Sequence, residues 1–272
     1  MRSIADTFRA LREKGDGALI GYVMAGDPSL KETFRIVESL VQGGVDVLEL
    51  GIPFSDPIAD GPTIQAAGLR ALKAGTTPLA VLEVGKEVAS CFGLPVVLLT
   101  YFNPVFRAGL GSFLRLAKQS GVAGLIVPDL PVEEASEYKS AALREGLDTI
   151  FLAAPSTTAA RLERIVRNTS GFLYLVSVFG VTGIREKIQG LTLETIRRVL
   201  PYTRGRLPLG VGFGVSQPSH VEAVLDAGAD AAVVGSAFVR MIEENLGNPE
   251  MLQAVERKAR ELKSATVGRL QT

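Results

Sequence analysis

Residues 44–51 read Gly44-Val45-Asp46-Val47-Leu48-Glu49-Leu50-Gly51. The glycine closes a stretch with helical apolar spacing, and a short, nearly continuous apolar run follows at once. The junction recurs. Gly121-Val122-Ala123 leads into Gly124-Leu125-Ile126-Val127, Gly146-Leu147-Asp148 into Thr149-Ile150-Phe151-Leu152, and Gly228-Ala229-Asp230 into Ala231-Ala232-Val233-Val234. A glycine just past a helix takes a positive φ at little cost. A run that is apolar at nearly every position suits a parallel strand buried on both faces. Helix starts are marked as well. Ser29-Leu30-Lys31-Glu32 reads as a capping box, and Thr77-Pro78 and Asn248-Pro249 as N-caps followed by proline.

Outward from these junctions, eight strands are expected near 18–24, 45–51, 95–101, 123–128, 148–153, 172–177, 207–212 and 230–234. Helical patterns separate them, and one more precedes the first. The repeat unit is about 34 residues, room for a strand, a helix and two loops. No linker or low-complexity run interrupts it. The reading is an α/β fold, a (β/α)8 barrel formed as a single domain over residues 1–272 with an extra N-terminal helix. An open doubly wound sheet is the alternative. It has fewer strands and a dinucleotide fingerprint after the first, whereas here that strand ends Met24-Ala25-Gly26-Asp27-Pro28.

Composition excludes several function classes. The 29 Lys and Arg balance 29 Asp and Glu, so neither a nucleic-acid backbone nor an anionic membrane surface is an expected partner. Cys91 is the only cysteine, which rules out an internal disulfide and a multi-cysteine metal site. No apolar run reaches the roughly 18 residues of a membrane span; the best, Pro95 to Phe102, is strand-sized. Residues 1–14 lack the apolar core of a secretory signal, and a cytoplasmic location is the expectation.

In such a barrel the active site lies at the C-terminal ends of the strands. Strand alternation puts Leu48 and Leu50 on the helix side and Glu49 inside, near the mouth. An acid among apolar neighbours has its pKa raised toward neutrality, as general acid–base work requires. By itself Glu49 fits equally a carboxylate paired with a Lys or Arg. The next loop, Ile52-Pro53-Phe54-Ser55-Asp56-Pro57-Ile58-Ala59-Asp60-Gly61-Pro62, is stiff enough to hold a catalytic acid, yet Asp and Pro also suit an ordinary turn. Glycine clusters end three adjacent strands: Gly180-Val181-Thr182-Gly183, Gly210-Val211-Gly212-Phe213-Gly214, and Gly235-Ser236 opening a helix. Backbone N–H groups there can approach an anion, which favours a phosphate-bearing ligand. His220 reads as a surface residue at a helix start and cannot form a multi-histidine metal site. Cys91 reads as a small buried apolar residue.

The segment Leu48 to Gly61 resembles the signature of the tryptophan synthase α chain family. Gly26-Asp27-Pro28, Tyr101-Phe102-Asn103-Pro104, Pro128-Asp129-Leu130-Pro131 and the three glycine clusters extend the likeness over nearly the whole chain. The resemblance implies retro-aldol cleavage of indole-3-glycerol phosphate to indole and glyceraldehyde 3-phosphate, with no metal or organic cofactor on this chain. It assigns acid–base catalysis to Glu49, a second catalytic carboxylate to Asp60, and a place beside Glu49 to Tyr174. It gives phosphate binding to Gly183, Gly214, Gly235 and Ser236, and the indole pocket to Tyr22, Leu99, Ile126 and Phe213. Thr182 matches a closing-loop residue that bonds the second carboxylate. Ser177-Val178-Phe179 is apolar here and variable in the family, so it receives no role. The implied partner is a pyridoxal-phosphate β chain in an α2β2 heterotetramer, faced by Pro53, Asp56, Pro57 and Asn103.

Other readings stay open on the residues. A stand-alone lyase would share every site residue. A sugar-phosphate isomerase or epimerase would share the glycine clusters, but the metal-dependent kind needs several histidines and the chain has one. A non-catalytic regulatory barrel would keep the partner-facing loops without needing both Glu49 and Asp60.

Overall fold

The computed structural model describes residues 2–176, 185–212 and 214–270. Its parallel strands are β1 (Ala18–Met24), β2 (Val47–Gly51), β3 (Val96–Leu99), β4 (Val122–Ile126), β5 (Asp148–Ile150), β6 (Leu152–Ala153), β7 (Leu173–Val176), β8 (Leu209–Gly212) and β9 (Ala231–Val234). The order across the sheet is β5-β4-β3-β2-β1-β9-β8-β7-β6. Its two edges are consecutive pieces of one chain segment. Residues 148–150 pair with β4 and 152–153 with β7, and the Tyr174 N–H donates to the Phe151 carbonyl at 3.1 Å. The expected fifth strand is thus broken at Phe151 because it bonds to one neighbour through its first half and the other through its second. That break closes the barrel.

The four junction glycines all take positive φ: Gly44 95°, Gly121 73°, Gly146 67° and Gly228 106°. Three junctions also carry an aspartate, and two of these bond the neighbouring strand. Asp46 accepts from the Leu19 N–H at 2.7 Å and from Lys263 at 2.8 Å; Asp230 accepts from the Leu209 N–H at 2.8 Å and from Arg12. These acids satisfy backbone donors at the N-terminal mouth, opposite the end where strand-end chemistry is expected.

Alternation along the strands divides the core into two layers. Leu19, Leu48, Leu50, Leu98, Leu125 and Leu175 face the helices. Ile20, Val47, Val97, Ile126, Ile150 and Phe172 fill the barrel. The expected N-terminal helix, Ile4–Glu13, plugs the lower end with Ile4 and Phe8, the latter 6.1 Å from the Phe172 ring. Caps follow the residue types in part. Ser29 and Thr77 accept from the N–H groups of Glu32 and Ala80, but Glu32 turns to Arg35 instead of closing the box. Asn248 bonds the Glu250 N–H in a turn, and the last helix begins at Met251, two residues later than Asn248-Pro249 suggests. Cys91 lies on the exposed side of helix Pro78–Phe92, so the expectation of a buried thiol is corrected.

One ion-pair network ties the upper rim. Arg70, on helix Pro62–Lys73, donates two 2.8 Å bonds to buried Asp27 after β1, and a 2.6 Å bond to Glu243 on helix Ser236–Glu244. Arg70→Ala leaves the Asp27 carboxylate buried without its partner, which costs about 3 kcal/mol. A lower urea midpoint at unchanged slope is the expected result; an unshifted midpoint would show the network to be idle.

Candidate active site

Glu49 projects into the barrel between Tyr22 on β1 and Val97 on β3. It is 1% exposed, and its Oε2 atom has no hydrogen-bond partner among the described residues. No cation pairs with it there, so the ion-paired reading of Glu49 loses its support. Burial, reinforced by the negative charge of Asp60, pushes its pKa up to about 8. An acid normally ionised at pH 7 therefore holds its proton.

Tyr22 and Tyr174 flank this carboxyl, and both phenols are held well above their usual range, first by burial. Two glycines make room for them. A Cβ on Gly51 would collide with the Tyr22 hydroxyl, and one on Gly212 would lie 2.5 Å from that of Tyr174. Strand-end glycines here serve side chains as well as any ligand.

Asp60 comes from the loop after β2. The loop folds on itself through the Asp60 N–H to the Pro57 carbonyl and the Ile58 N–H to that of Asp56. It is also held from outside by Tyr101, two residues past β3. The Tyr101 ring stacks on Phe54 at 5.3 Å, and its hydroxyl accepts from the Ala59 N–H at 3.0 Å. The same hydroxyl hydrogen-bonds toward the Asp60 carboxyl, countering the rise that burial imposes on its pKa. The sequence signal for Tyr101 is an aromatic with a polar tip at a strand end. Tyr101→Phe is expected to shift the Asp60 titration, followed by carboxyl NMR, to higher pH and to cost about 1 kcal/mol of stability. An unmoved titration would sink the contact.

A cavity of about 260 Å³ joins these groups. It is lined by Tyr22, Glu49, Asp60, Leu99, Tyr174, Gly214, Gly235 and Ser236, all given site roles from sequence, together with Gly61 and Pro62 of the stiff loop and Thr63, Ile64 and Arg240, which had none. Gly235 and Ser236 open helix Ser236–Glu244, whose first N–H groups have no carbonyl partner within the helix. The cavity thus carries a protonated acid, a second acid, an apolar wall and an end suited to an anion. Ile126 does not line it; fully buried, it packs within the barrel core. Gly183, Thr182 and Phe213, and the segment Ser177-Val178-Phe179, lie outside the described residues. Among the partner-facing residues Asp56 and Asn103 are exposed, Pro57 is half-buried and Pro53 is buried. His220 is half-buried and accepts from the Ser216 N–H at 3.4 Å. Among the described residues no cluster of three His, Cys, Asp or Glu could hold a metal, and no helix is long and apolar enough to cross a membrane.

The family model described as tryptophan synthase alpha chain matches residues 8–267. The tryptophan synthase alpha chain of Methanosarcina acetivorans is 52% identical, over 98% of this chain and 95% of its own. That of Methanosarcina barkeri is 51% identical over 97% of each. Among solved structures, a chain of the tryptophan synthase a2b2 complex from Pyrococcus furiosus superposes with a TM-score of 0.85 at 44% identity, over 92% of this chain and 98% of that one. Mycobacterium tuberculosis tryptophan synthase gives 0.88 at 35% identity over the full length of both. With a family match over nearly all its length and relatives above half identity, the chain belongs to the tryptophan synthase alpha chain family.

Proposed function

We propose that this chain cleaves indole-3-glycerol phosphate to indole and glyceraldehyde 3-phosphate, an aldehyde-lyase reaction. The observation that carries the reading is Glu49, protonated near neutral pH and facing Asp60 across one cavity. Indole is a poor leaving group until C3 is protonated. Glu49 gives its proton to C3, placing positive charge on the ring nitrogen. The resulting carboxylate takes the proton from the hydroxyl on the carbon bonded to C3. The C–C bond breaks, its electron pair returns to the ring, and an aldehyde forms as Glu49 regains its proton. Asp60 accepts from the ring N–H and stabilises the charge that develops there. Two acids in different surroundings can divide the work in this way. Tyr22 and Leu99 form walls for the indole ring, and Tyr174 packs beside Glu49. Gly214, Gly235 and Ser236, with Gly183, receive the phosphate at a helix N-terminus.

The Pyrococcus furiosus relative is described as part of an a2b2 complex. The same assembly is proposed here, in the cytoplasm, with pyridoxal phosphate on the β chain. Ile58 is 83% exposed beside Asp56 on the loop after β2, and Phe106 is 67% exposed beside Asn103 on helix Phe102–Arg107 after β3. Such a mixed apolar and polar surface suits a partner. Purified chain is expected to release indole from indole-3-glycerol phosphate, faster with a β chain present. No indole in either condition would defeat the reading, and indole release unchanged by the β chain would favour a stand-alone lyase.

A further inference from the structure

We infer that Arg240 is a specificity-determining residue that holds the substrate phosphate, supplying the one full positive charge among the described residues that line the cavity. The inference rests on the proposed lyase reading and deepens it. Arg240 lies on helix Ser236–Glu244, one turn beyond Ser236, and lines the same cavity as Ser236, Gly235 and Gly214. Helical side chains lean toward the N-terminus, so a residue four positions along covers the turn that Ser236 begins. Among the described lining residues it is the only cation, against Glu49 and Asp60. Nearby carboxylates do not occupy it. Glu243 on the same helix bonds Arg70, and among the described residues no ion pair joins Arg240 to any acid.

The helix N-terminus offers roughly half a charge, whereas a phosphate monoester carries about −1.5 to −2 at neutral pH. A guanidinium supplies the shortfall in a planar fork matched to phosphate oxygens. Because the side chain is exposed, salt screens the interaction and its effect is moderate.

Binding of glycerol 3-phosphate, and of glycerol as the uncharged control, is measured by calorimetry on the full chain beside cleavage kinetics. Arg240→Gln is expected to weaken glycerol 3-phosphate binding about tenfold and to raise KM similarly, with kcat within about twofold. Arg240→Lys is expected to recover most of the affinity, and added salt to narrow the difference between wild type and Arg240→Gln. Unchanged affinity in Arg240→Gln, or equal loss of kcat with KM intact, overturns the inference. Its failure is separable from failure of the lyase reading. A wild type that binds glycerol 3-phosphate through Arg240 yet releases no indole defeats only the latter. A wild type that releases indole with an indifferent Arg240→Gln defeats only the former.

Discussion

Glu49→Gln is expected to lower indole release by at least about 10³-fold while the barrel stays folded, because one proton carrier serves both C3 and the hydroxyl. The amide nearly matches the carboxylic acid in shape and remains neutral in the same pocket, so fold and cavity persist. Stability makes an independent reading possible. Folding raises the Glu49 pKa from 4.5 to about 8. Between those pH values the folded chain keeps a proton that the unfolded chain has released. Wild-type stability therefore declines as pH rises across that window and levels off above about 8. The variant does not titrate there, so its stability relative to wild type grows from pH 5 to pH 9, by a few kcal/mol at most. Circular dichroism and urea unfolding at both pH values check this. Retained turnover, or a stability difference independent of pH, would remove Glu49 from its role.

Asp60→Asn is expected to slow cleavage by roughly 10²–10³-fold, the usual loss when one electrostatic stabiliser of a transition state is removed. The substitution has a second consequence that a structural role would not produce. The charge of Asp60 helps raise the Glu49 pKa, second only to burial. Without that charge Glu49 ionises at lower pH. The wild-type profile of kcat/KM should fall on its alkaline side near the Glu49 value of about 8, where the acid form is lost. In Asp60→Asn that limb should move to lower pH. An alkaline limb that stays in place would separate the two carboxylates and undo the proposed division of labour.

These effects converge on a loop whose rigidity has an unexpected source. The prolines around Asp60 restrict it, but Tyr101 anchors it by accepting the Ala59 N–H and stacking on Phe54. Residues 59 and 101 are 42 positions apart, and no local pattern joins them. Arg70 acts similarly at the rim, linking the helix after Asp60 to Asp27 and to the helix that Ser236 opens. The acid loop and the anion end are thereby fastened to one frame, as positioning within fractions of an ångström requires.

Strand and helix order was legible because it is written locally. Side chains alternate along a strand, and glycine alone accepts a positive φ cheaply, so Leu48 and Leu50 pointed outward and Gly44, Gly121, Gly146 and Gly228 ended helices. The same alternation placed Glu49 inside the barrel. Tertiary packing decided what surrounds each group. Closure at Phe151 depends on two neighbours far away in the chain. Ile126 sinks into the core rather than the cavity, and Cys91 faces outward, because depth is set by the layers above and below a residue. Whether Glu49 met a cation or only another acid could likewise be answered only by the fold, since a pKa is a sum over neighbours in space, and those neighbours lie on other strands.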